Sequence, residues 1–213
     1  VGTNWGVGDI MYADLDGDGK ISNGTNKLGD TGDYRIIGNS TPRFKYGITL
    51  DAAWKGFDFS IFMQGIGKRD LWLDGCYFWG ANGQGNEWQS TGFAEHWDFF
   101  RPEGDPLGAN LNSYYPRVNF SGDRNTKVQT RYLQNGAYLR LKNVQLGYTL
   151  PRVWTEKAGI SSVRVYVSGD NLATITSLSK IFDPEATGSL AGTGSGKLYP
   201  LQRVISVGVN VNF

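Results

Sequence analysis

An acidic stretch near the start of the chain has the residue types and the spacing of a calcium-binding loop. It reads DLDGDGKIS over residues 14–22. Ca²⁺ takes about six to eight oxygen ligands, and a calcium loop of the EF-hand type supplies the first of them from positions 1, 3 and 5 and from the backbone carbonyl of position 7. Asp14, Asp16 and Asp18 would give side-chain oxygens, and Lys20 would give its carbonyl oxygen.

The second half of this stretch departs from the calcium-loop pattern. Position 12, where a bidentate glutamate normally closes the loop, falls on Thr25. A solvated acidic turn is the alternative interpretation, but three crowded carboxylates repel one another when no cation is present. We therefore predict a calcium ion with a structural role. No base or nucleophile accompanies the stretch, so we expect no catalysis there.

A long segment in the middle of the chain is rich in aromatic residues. Aromatic faces stack on sugar rings, which makes its tryptophans candidate substrate-binding residues. The same residues could instead pack the segment on itself or contact a partner protein, since aromatic residues are enriched at interfaces. The sequence leaves these three roles open. The candidates are Trp72, Trp79, Trp88 and Trp97.

The composition excludes several other kinds of site. One cysteine, Cys76, and one histidine, His96, leave no internal disulfide and no zinc site built on several cysteines or histidines. A net charge of +1 gives no field that would attract nucleic acid. The loop carboxylates form no readable glycosidase pair, because their separation does not follow from the sequence. We therefore expect a protein that is not an enzyme and does not bind nucleic acid.

Five segments alternate apolar and polar residues with a period of two, which predicts β-strands. Glycine, at 30 of 213 residues, is too abundant for a helical bundle and suits strands joined by long loops. Each strand has one apolar and one polar face. The segments run from Phe44 to Trp54, from Phe57 to Gln64, from Tyr138 to Leu150, around Val163 to Val167, and from Ile205 to Phe213.

The connections between these segments alternate strictly between short and long. Lys55-Gly56 predicts a two-residue hairpin turn, and Arg152 to Lys157 predicts one helical turn in the second short link. Within the third segment the apolar residues change phase, which a β-bulge near Asn143 would explain. The long links cover about residues 67–131 and 173–202. If every strand reverses direction, all long links leave from the same end of the sheet.

Short turns at one end and long loops at the other are typical of outer-membrane β-barrels. Five strands cannot close such a barrel, and hydrocarbon does not tolerate an unpaired strand edge. We therefore expect further strands upstream of Val1, so that this chain is the carboxyl-terminal fragment of a larger barrel. The aromatic final residue, Phe213, is typical of such barrels. A soluble β-sandwich with long loops is the alternative fold.

A set of stretches also matches, in order, those of one protein family. They are DLDGDGKIS (14–22), GDTGDYRIIGNSTPRFKYG (29–47), WKGFDFSIFMQGIGKRD (54–70), YYPR (114–117), YLRLKNVQLGYTLP (138–151), VRVYVSGDNLATIT (163–176), DPE (183–185) and the closing GVNVNF. With these stretches the chain resembles the carboxyl-terminal part of a SusC/RagA-type TonB-linked outer-membrane transporter.

This resemblance implies an all-β fold, the antiparallel transmembrane strands of a 22-stranded barrel with long extracellular loops, in contact with membrane lipid. It implies import of an oligosaccharide or peptide substrate across the bacterial outer membrane, driven by the TonB complex, together with a SusD-like surface lipoprotein. The plug and the TonB-contacting segment would precede Val1. In the family an acidic residue closes the acidic loop; here that residue would be Asp33, with Asp30 as the alternative.

Two hypotheses for the function follow. In the first, residues 1–42 are an extracellular loop with the calcium motif, and residues 43–213 are barrel strands with their extracellular loops in a nutrient transporter. In the second, the chain is a soluble, calcium-dependent β domain that binds carbohydrate through its aromatic loop.

Overall fold

A computed structural model describes residues 5–83, 92–187 and 199–213. These residues form two compact units. The loop unit comprises residues 5–38, 72–83 and 92–133, and the sheet unit comprises residues 39–71, 134–187 and 199–213. Residues 5–38 thus group with the long aromatic segment. Trp88, one of the predicted substrate-binding residues, lies outside the described residues.

The sheet unit is built on one antiparallel sheet of five strands in the order β1-β2-β5-β6-β7. A second sheet pairs the two short strands β3 and β4. The strands are β1 (Phe44–Trp54), β2 (Phe57–Lys68), β3 (Asp70–Leu71), β4 (Gln134–Asn135), β5 (Tyr138–Thr149), β6 (Ser162–Thr176) and β7 (Val204–Asn212). All five predicted strands are confirmed, and the fold is all-β.

The strand register places apolar side chains on one face of the five-stranded sheet. One row of cross-strand partners runs Ala52–Phe59–Leu146–Val167–Val207 across β1, β2, β5, β6 and β7. Four of these side chains are large, and 37% to 75% of their surface is exposed. The sheet therefore presents a continuous apolar surface to its surroundings instead of burying it in a core.

The adjacent row of partners lies on the opposite face and is entirely polar. It runs Asp51–Ser60–Gln145–Ser168–Ser206 across the same five strands. Because side chains alternate along a strand, this row and the apolar row are one residue apart in every strand. A slip of one residue in any pairing would put polar side chains on the apolar face.

The local features predicted within the strands are also present. Lys55 and Gly56 both have positive φ (47° and 88°), as a type I′ hairpin turn requires. In β5 the register shifts between Leu141 and Asn143, so that Lys142 is the extra residue of a bulge opposite β2, and Asn171 and Leu172 of β6 lie opposite it on the other side. The bulge returns the apolar residues before and after it to one face. The second short link holds the helix α2 (Arg152–Thr155), followed by a 3₁₀ turn over Glu156–Ala158.

The ends of the strands divide into two groups. Phe44 pairs with Lys68, and Tyr138 pairs with both Ile66 and Thr176, so the long connections leave from one end, here called the loop end. The two short links lie at the other end, as the sequence predicts. The buried apolar side chains of the sheet unit are Ile66, Leu71, Tyr138, Leu178 and Phe182.

Near the short links, an ion pair crosses the polar face over a glycine. Arg164 on β6 donates to Asp58 on β2 through both Nε and Nη2, with Nε at 2.8 Å from Oδ1. Gly147 on β5 lies between them, and a Cβ there would come within 2.5 Å of both side chains. The absence of a side chain at Gly147 therefore allows the pair to form.

Among the described residues, no helix combines the length and the apolar character that crossing a membrane requires.

Candidate functional site

The three acidic side chains of the predicted calcium loop converge in the loop unit. Carboxylate oxygens of Asp14, Asp16 and Asp18 lie within 4.8 Å of one another, and all three residues are exposed. The backbone curls around Asp14, which accepts hydrogen bonds from the amides of Gly17 (2.6 Å) and Gly19 (2.8 Å). Both glycines have positive φ, 80° and 78°, a conformation that side chains disfavour.

The charges of this cluster are not balanced by the described side chains. No described lysine or arginine forms an ion pair with Asp14, Asp16 or Asp18. Lys20 donates its backbone amide to Asp18 at 2.7 Å. Three converging carboxylates that no described basic side chain neutralises form the oxygen donor set that a hard divalent ion such as Ca²⁺ prefers. The residues present therefore fit the ion that the sequence predicts.

Asp33 lies outside this group of three but holds the loop in place. Its carboxylate accepts hydrogen bonds from the amides of Leu15 (2.6 Å) and Ser22 (2.7 Å). These hydrogen bonds hold the pKa of Asp33 below its usual value. The alternative closing residue, Asp30, instead accepts from the amide and the hydroxyl of Thr25. Asp33 is thus the acidic residue bonded to the loop itself, and its role as a calcium ligand stays a prediction.

Aromatic side chains form the core of the loop unit. Phe78 and Trp79 belong to the short helix α1 (Cys76–Trp79) and are 0% and 2% exposed. The ring of Trp79 packs edge-on against Tyr132 at 4.9 Å, and its indole nitrogen donates to the carbonyl of Leu73 at 3.1 Å. The ring and the polar atom of Trp79 are therefore both occupied. Of the three roles that the sequence leaves open, these contacts favour packing for Trp79.

The two other candidate tryptophans among the described residues are more accessible. Trp72 is half-buried, with its ring 5.7 Å from that of Trp79. Trp97 is 59% exposed, and the guanidinium group of Arg101 lies 5.3 Å from its ring. Arg101 is itself fixed by donating to the carbonyls of Trp97 (2.9 Å) and Gly108 (2.7 Å). Trp97 is the candidate that presents an aromatic surface to solvent.

His96 joins two parts of the aromatic core. Its Nδ1 accepts a hydrogen bond from the amide of Phe93 at 3.0 Å, so its Nε2 carries the proton and faces the carbonyl of Phe78 at 3.1 Å. Both ring nitrogens are engaged within the loop unit. Cys76 is half-buried and unpaired.

A buried carboxylate that the sequence analysis missed ties the first segment to the long loop. The side chain of Asp9 is 1% exposed and accepts from Nε and Nη2 of Arg117 at 2.9 and 2.6 Å. Burial alone would raise the pKa of Asp9, but the hydrogen bonds from Arg117 and Asn125 outweigh it, and the pKa falls below its usual value. Nothing in the local sequence pairs residues 108 positions apart.

Next to this anchor the loop unit contains a cavity of about 490 Å³. Aromatic and apolar side chains, among them Tyr12, Phe100 and Tyr115, form much of its wall. Arg131 and Gln129 supply polar groups. The size and the lining are typical of small-ligand pockets.

In the sheet unit, the DPE stretch attaches the connection after β6 to the polar face of the sheet. Arg140 on β5, whose side chain is 5% exposed, pairs with Asp183 at 2.8 Å and with Glu185 at 3.6 Å. Lys142, the bulge residue, pairs with Glu185 at 3.0 Å. Burial alone would raise the pKa of Asp183, but hydrogen bonds from Arg140 and from two backbone amides lower it.

Three curated proteins of Formosa agariphila are similar to the chain over nearly its whole length. TonB-dependent receptor P3 is 33% identical and TonB-dependent receptor P26 is 30% identical, each over 97% of this chain. TonB-dependent receptor P39 is 26% identical, also over 97%. The chain spans about a fifth of the length of these relatives, 19% to 20%. No family model matches the chain.

Solved structures agree with these relatives. The RagAB peptide importer in its open-open state superimposes with a TM-score of 0.63 and 27% identity, covering 84% of this chain and 18% of the importer chain. Its closed-closed state gives the same values. The resemblance to the TonB-dependent receptors of the SusC/RagA type is therefore confirmed.

The contrast between Trp79 and Trp97 gives a direct test of which tryptophan maintains the loop unit. Trp79→Ala should lower the free energy of opening of the loop unit by about 3–5 kcal/mol, because it leaves a large cavity in a packed core. Trp97→Ala, the matched control, should cost about 1 kcal/mol or less, since the ring is exposed and loses its contacts with Arg101 and with the edge of Phe99. Hydrogen exchange of residues 72–83 and 92–133 in the full-length protein measures both. Equal losses would contradict the assignment of Trp79 to the core.

Proposed function

We propose that the chain is the carboxyl-terminal barrel part of a TonB-dependent outer-membrane transporter. The observation that carries this proposal is the continuous apolar face of the five-stranded sheet, whose large side chains are exposed. A monomeric soluble protein rarely leaves so large an apolar patch uncovered. In a membrane, the same face would be covered by hydrocarbon, and the polar face would line the interior of the barrel.

In this proposal, the remaining strands of the barrel belong to a part of the protein outside this chain. The two edge strands, β1 and β7, each have one side unpaired within the described sheet. Hydrocarbon requires those backbone groups to be paired. Strands upstream of Val1 would complete a 22-stranded barrel, and an amino-terminal plug would occlude it. The chain's share of its relatives' length, about a fifth, supports this arrangement.

The proposed activity is import of an oligosaccharide or a peptide, driven by the TonB complex. The relatives are named as receptors and as a peptide importer, which supports transport instead of catalysis. The name RagAB denotes an assembly, which supports a SusD-like lipoprotein as the partner here. Of the candidate tryptophans among the described residues, the exposed Trp97 and, less completely, Trp72 could contact substrate or this partner.

The alternative function, a soluble calcium-dependent carbohydrate-binding domain, is supported by the acidic loop and by the aromatic residues of the loop unit. It leaves the exposed apolar face unexplained. In a soluble β-sandwich that face would pack on a second sheet, and the only other sheet among the described residues has two strands of two residues each.

Transport is tested in cells that carry the full-length gene. Wild-type cells, cells lacking the gene and cells lacking TonB are supplied with a mixture of oligosaccharides and short peptides, and depletion of each compound from the medium is followed by mass spectrometry. We expect the two deletions to abolish depletion of the same compounds, while uptake of a porin-sized monosaccharide is unchanged. Unaltered depletion in both deletion strains, or recovery of the full-length protein in the soluble fraction, would refute the proposal.

We also propose that Asp14, Asp16, Asp18, the Lys20 carbonyl and Asp33 bind one Ca²⁺ that stiffens this loop. Removing calcium with a chelator should increase protease cleavage within residues 14–33 and leave the strands protected. Asp16→Asn should weaken calcium binding about tenfold or more, because it removes a charged ligand. Asp123→Asn is the matched control, since Asp123 is an exposed aspartate in the same unit with a side chain 75% exposed.

The same assay distinguishes the two candidate closing ligands. Asp33→Asn should lower calcium affinity, whereas Asp30→Asn should change it little. The calcium assignment fails if chelation leaves cleavage within residues 14–33 unchanged, and the Asp33 assignment fails if only Asp30→Asn weakens binding.

A further inference from the structure

A second cavity, of about 410 Å³, lies on the polar face of the sheet unit beside β6. It shares no lining residue with the cavity of the loop unit. Polar and apolar groups contribute about equally to its wall, and Leu172, Ala173 and Leu201 supply the apolar part. The polar residues that line it are Arg140, Asn171, Thr174, Asp183 and Arg203.

The charges around this cavity leave one cation unbalanced. Asp183 and Glu185 pair with Arg140 and Lys142, so these four charges compensate one another. Both oxygens of Asp183 are occupied, because Oδ1 also accepts from the amide of Glu185 and Oδ2 accepts from the amide of Leu201. Arg203 forms no ion pair and no hydrogen bond with any described residue. The cavity therefore carries the free positive charge of Arg203.

The backbone that carries Arg203 is held from two sides. The amide of Leu201 donates to Asp183 at 3.1 Å, and the side-chain amide of Asn171 donates to the carbonyl of Gln202 at 3.0 Å. Immediately after Arg203 the chain enters β7 at Val204, which pairs with Asp170. An arginine placed in this way loses less conformational freedom on binding than one on a free loop.

Thr174 provides a second donor in the same wall. Its hydroxyl oxygen accepts a hydrogen bond from Nε of the buried Arg140 at 2.8 Å. A hydroxyl that accepts from a cation keeps its own proton available for donation. Arg203 thus offers an anion a charged, fork-shaped donor, and Thr174 offers it a neutral hydroxyl donor. A carboxylate, with two acceptor oxygens, can accept from both.

We propose that this cavity binds a carboxylate group of the imported compound, with Arg203 as its charged partner and Thr174 as a second hydrogen-bond donor. The inference rests on the proposed function, because import is what brings such a compound to the polar face. Two sources share this chemistry: the terminal carboxylate of a peptide and the carboxylate of an acidic sugar.

The test uses the full-length protein in detergent and isothermal titration. Trialanine is compared with trialanine amide, and digalacturonic acid with its methyl ester, so that each acid has a neutral counterpart. We expect at least one acid to bind about tenfold or more tightly than its counterpart, since a hydrogen bond to a charged group contributes about that much. The acid that shows this preference identifies the source.

Substitution then locates the preference. Arg203→Gln should remove it, and Thr174→Val should reduce it, without changing the weak binding of the neutral counterpart. Lys180→Gln, which removes an exposed cation from the same connection, should leave the preference intact. No preference for either acid, or equal losses in Arg203→Gln and Lys180→Gln, would overturn the inference. If the protein shows neither preference but cells still import the compound, the inference fails and the proposed function stands. If the Arg203-dependent preference is found in a protein that imports nothing, only the proposed function fails.

Discussion

A strand surrounded by hydrocarbon finds no water for its amide and carbonyl groups, so each of them must pair with a neighbouring strand. The same strand sends alternate side chains to opposite faces. The five-stranded sheet satisfies both constraints together. Its five strands pair in one antiparallel sheet interrupted by bulges, and the apolar row through Phe59 and Val207 lies next to the polar row through Ser60 and Ser206 from β1 to β7. The other features of the sheet unit depend on this arrangement.

The polar face shows how charged groups are accommodated beside such a sheet. A buried charge is costly unless it is paired, and the more buried charged groups beside this face form ion pairs across a strand or with the next connection. Arg164 reaches Asp58 across Gly147, which has no side chain to block the pair. Arg140 holds Asp183, which fixes the DPE stretch against the sheet. Arg203, an exposed arginine immediately before β7, has no described side-chain partner.

The loop unit is organised by different interactions. Its core is a cluster of aromatic rings around Phe78, Trp79 and Tyr132, and its first segment is tied down by the buried Asp9 with Arg117. Backbone amides of the acidic loop at residues 14–22 fix its shape. Those of Gly17 and Gly19 donate to Asp14, and those of Leu15 and Ser22 donate to Asp33. The unit is thus held by contacts between segments far apart in the sequence.

The difference between the two units explains what the sequence could predict. Period-two alternation is a local signal, so the five strands, the Lys55-Gly56 turn and the bulge beside Asn143 were predictable. The clustering of Asp14, Asp16 and Asp18 was predictable for the same reason, because their spacing is local. The burial of Trp79 and the exposure of Trp97 were not, since each depends on which distant rings pack nearby. The short strands β3 and β4 were missed because two residues carry no periodicity.

The central claim, that the apolar face of the sheet meets lipid, is tested most directly by spin labels along β7. Single cysteines at Ile205, Ser206, Val207, Val209 and Asn210 are labelled in the full-length, otherwise cysteine-free protein in lipid nanodiscs. Collisions with oxygen, which partitions into lipid, and with a water-soluble nickel complex are then compared. We expect labels at Ile205, Val207 and Val209 to favour oxygen and those at Ser206 and Asn210 to favour nickel. Equal access of the nickel complex to all five positions would contradict the account.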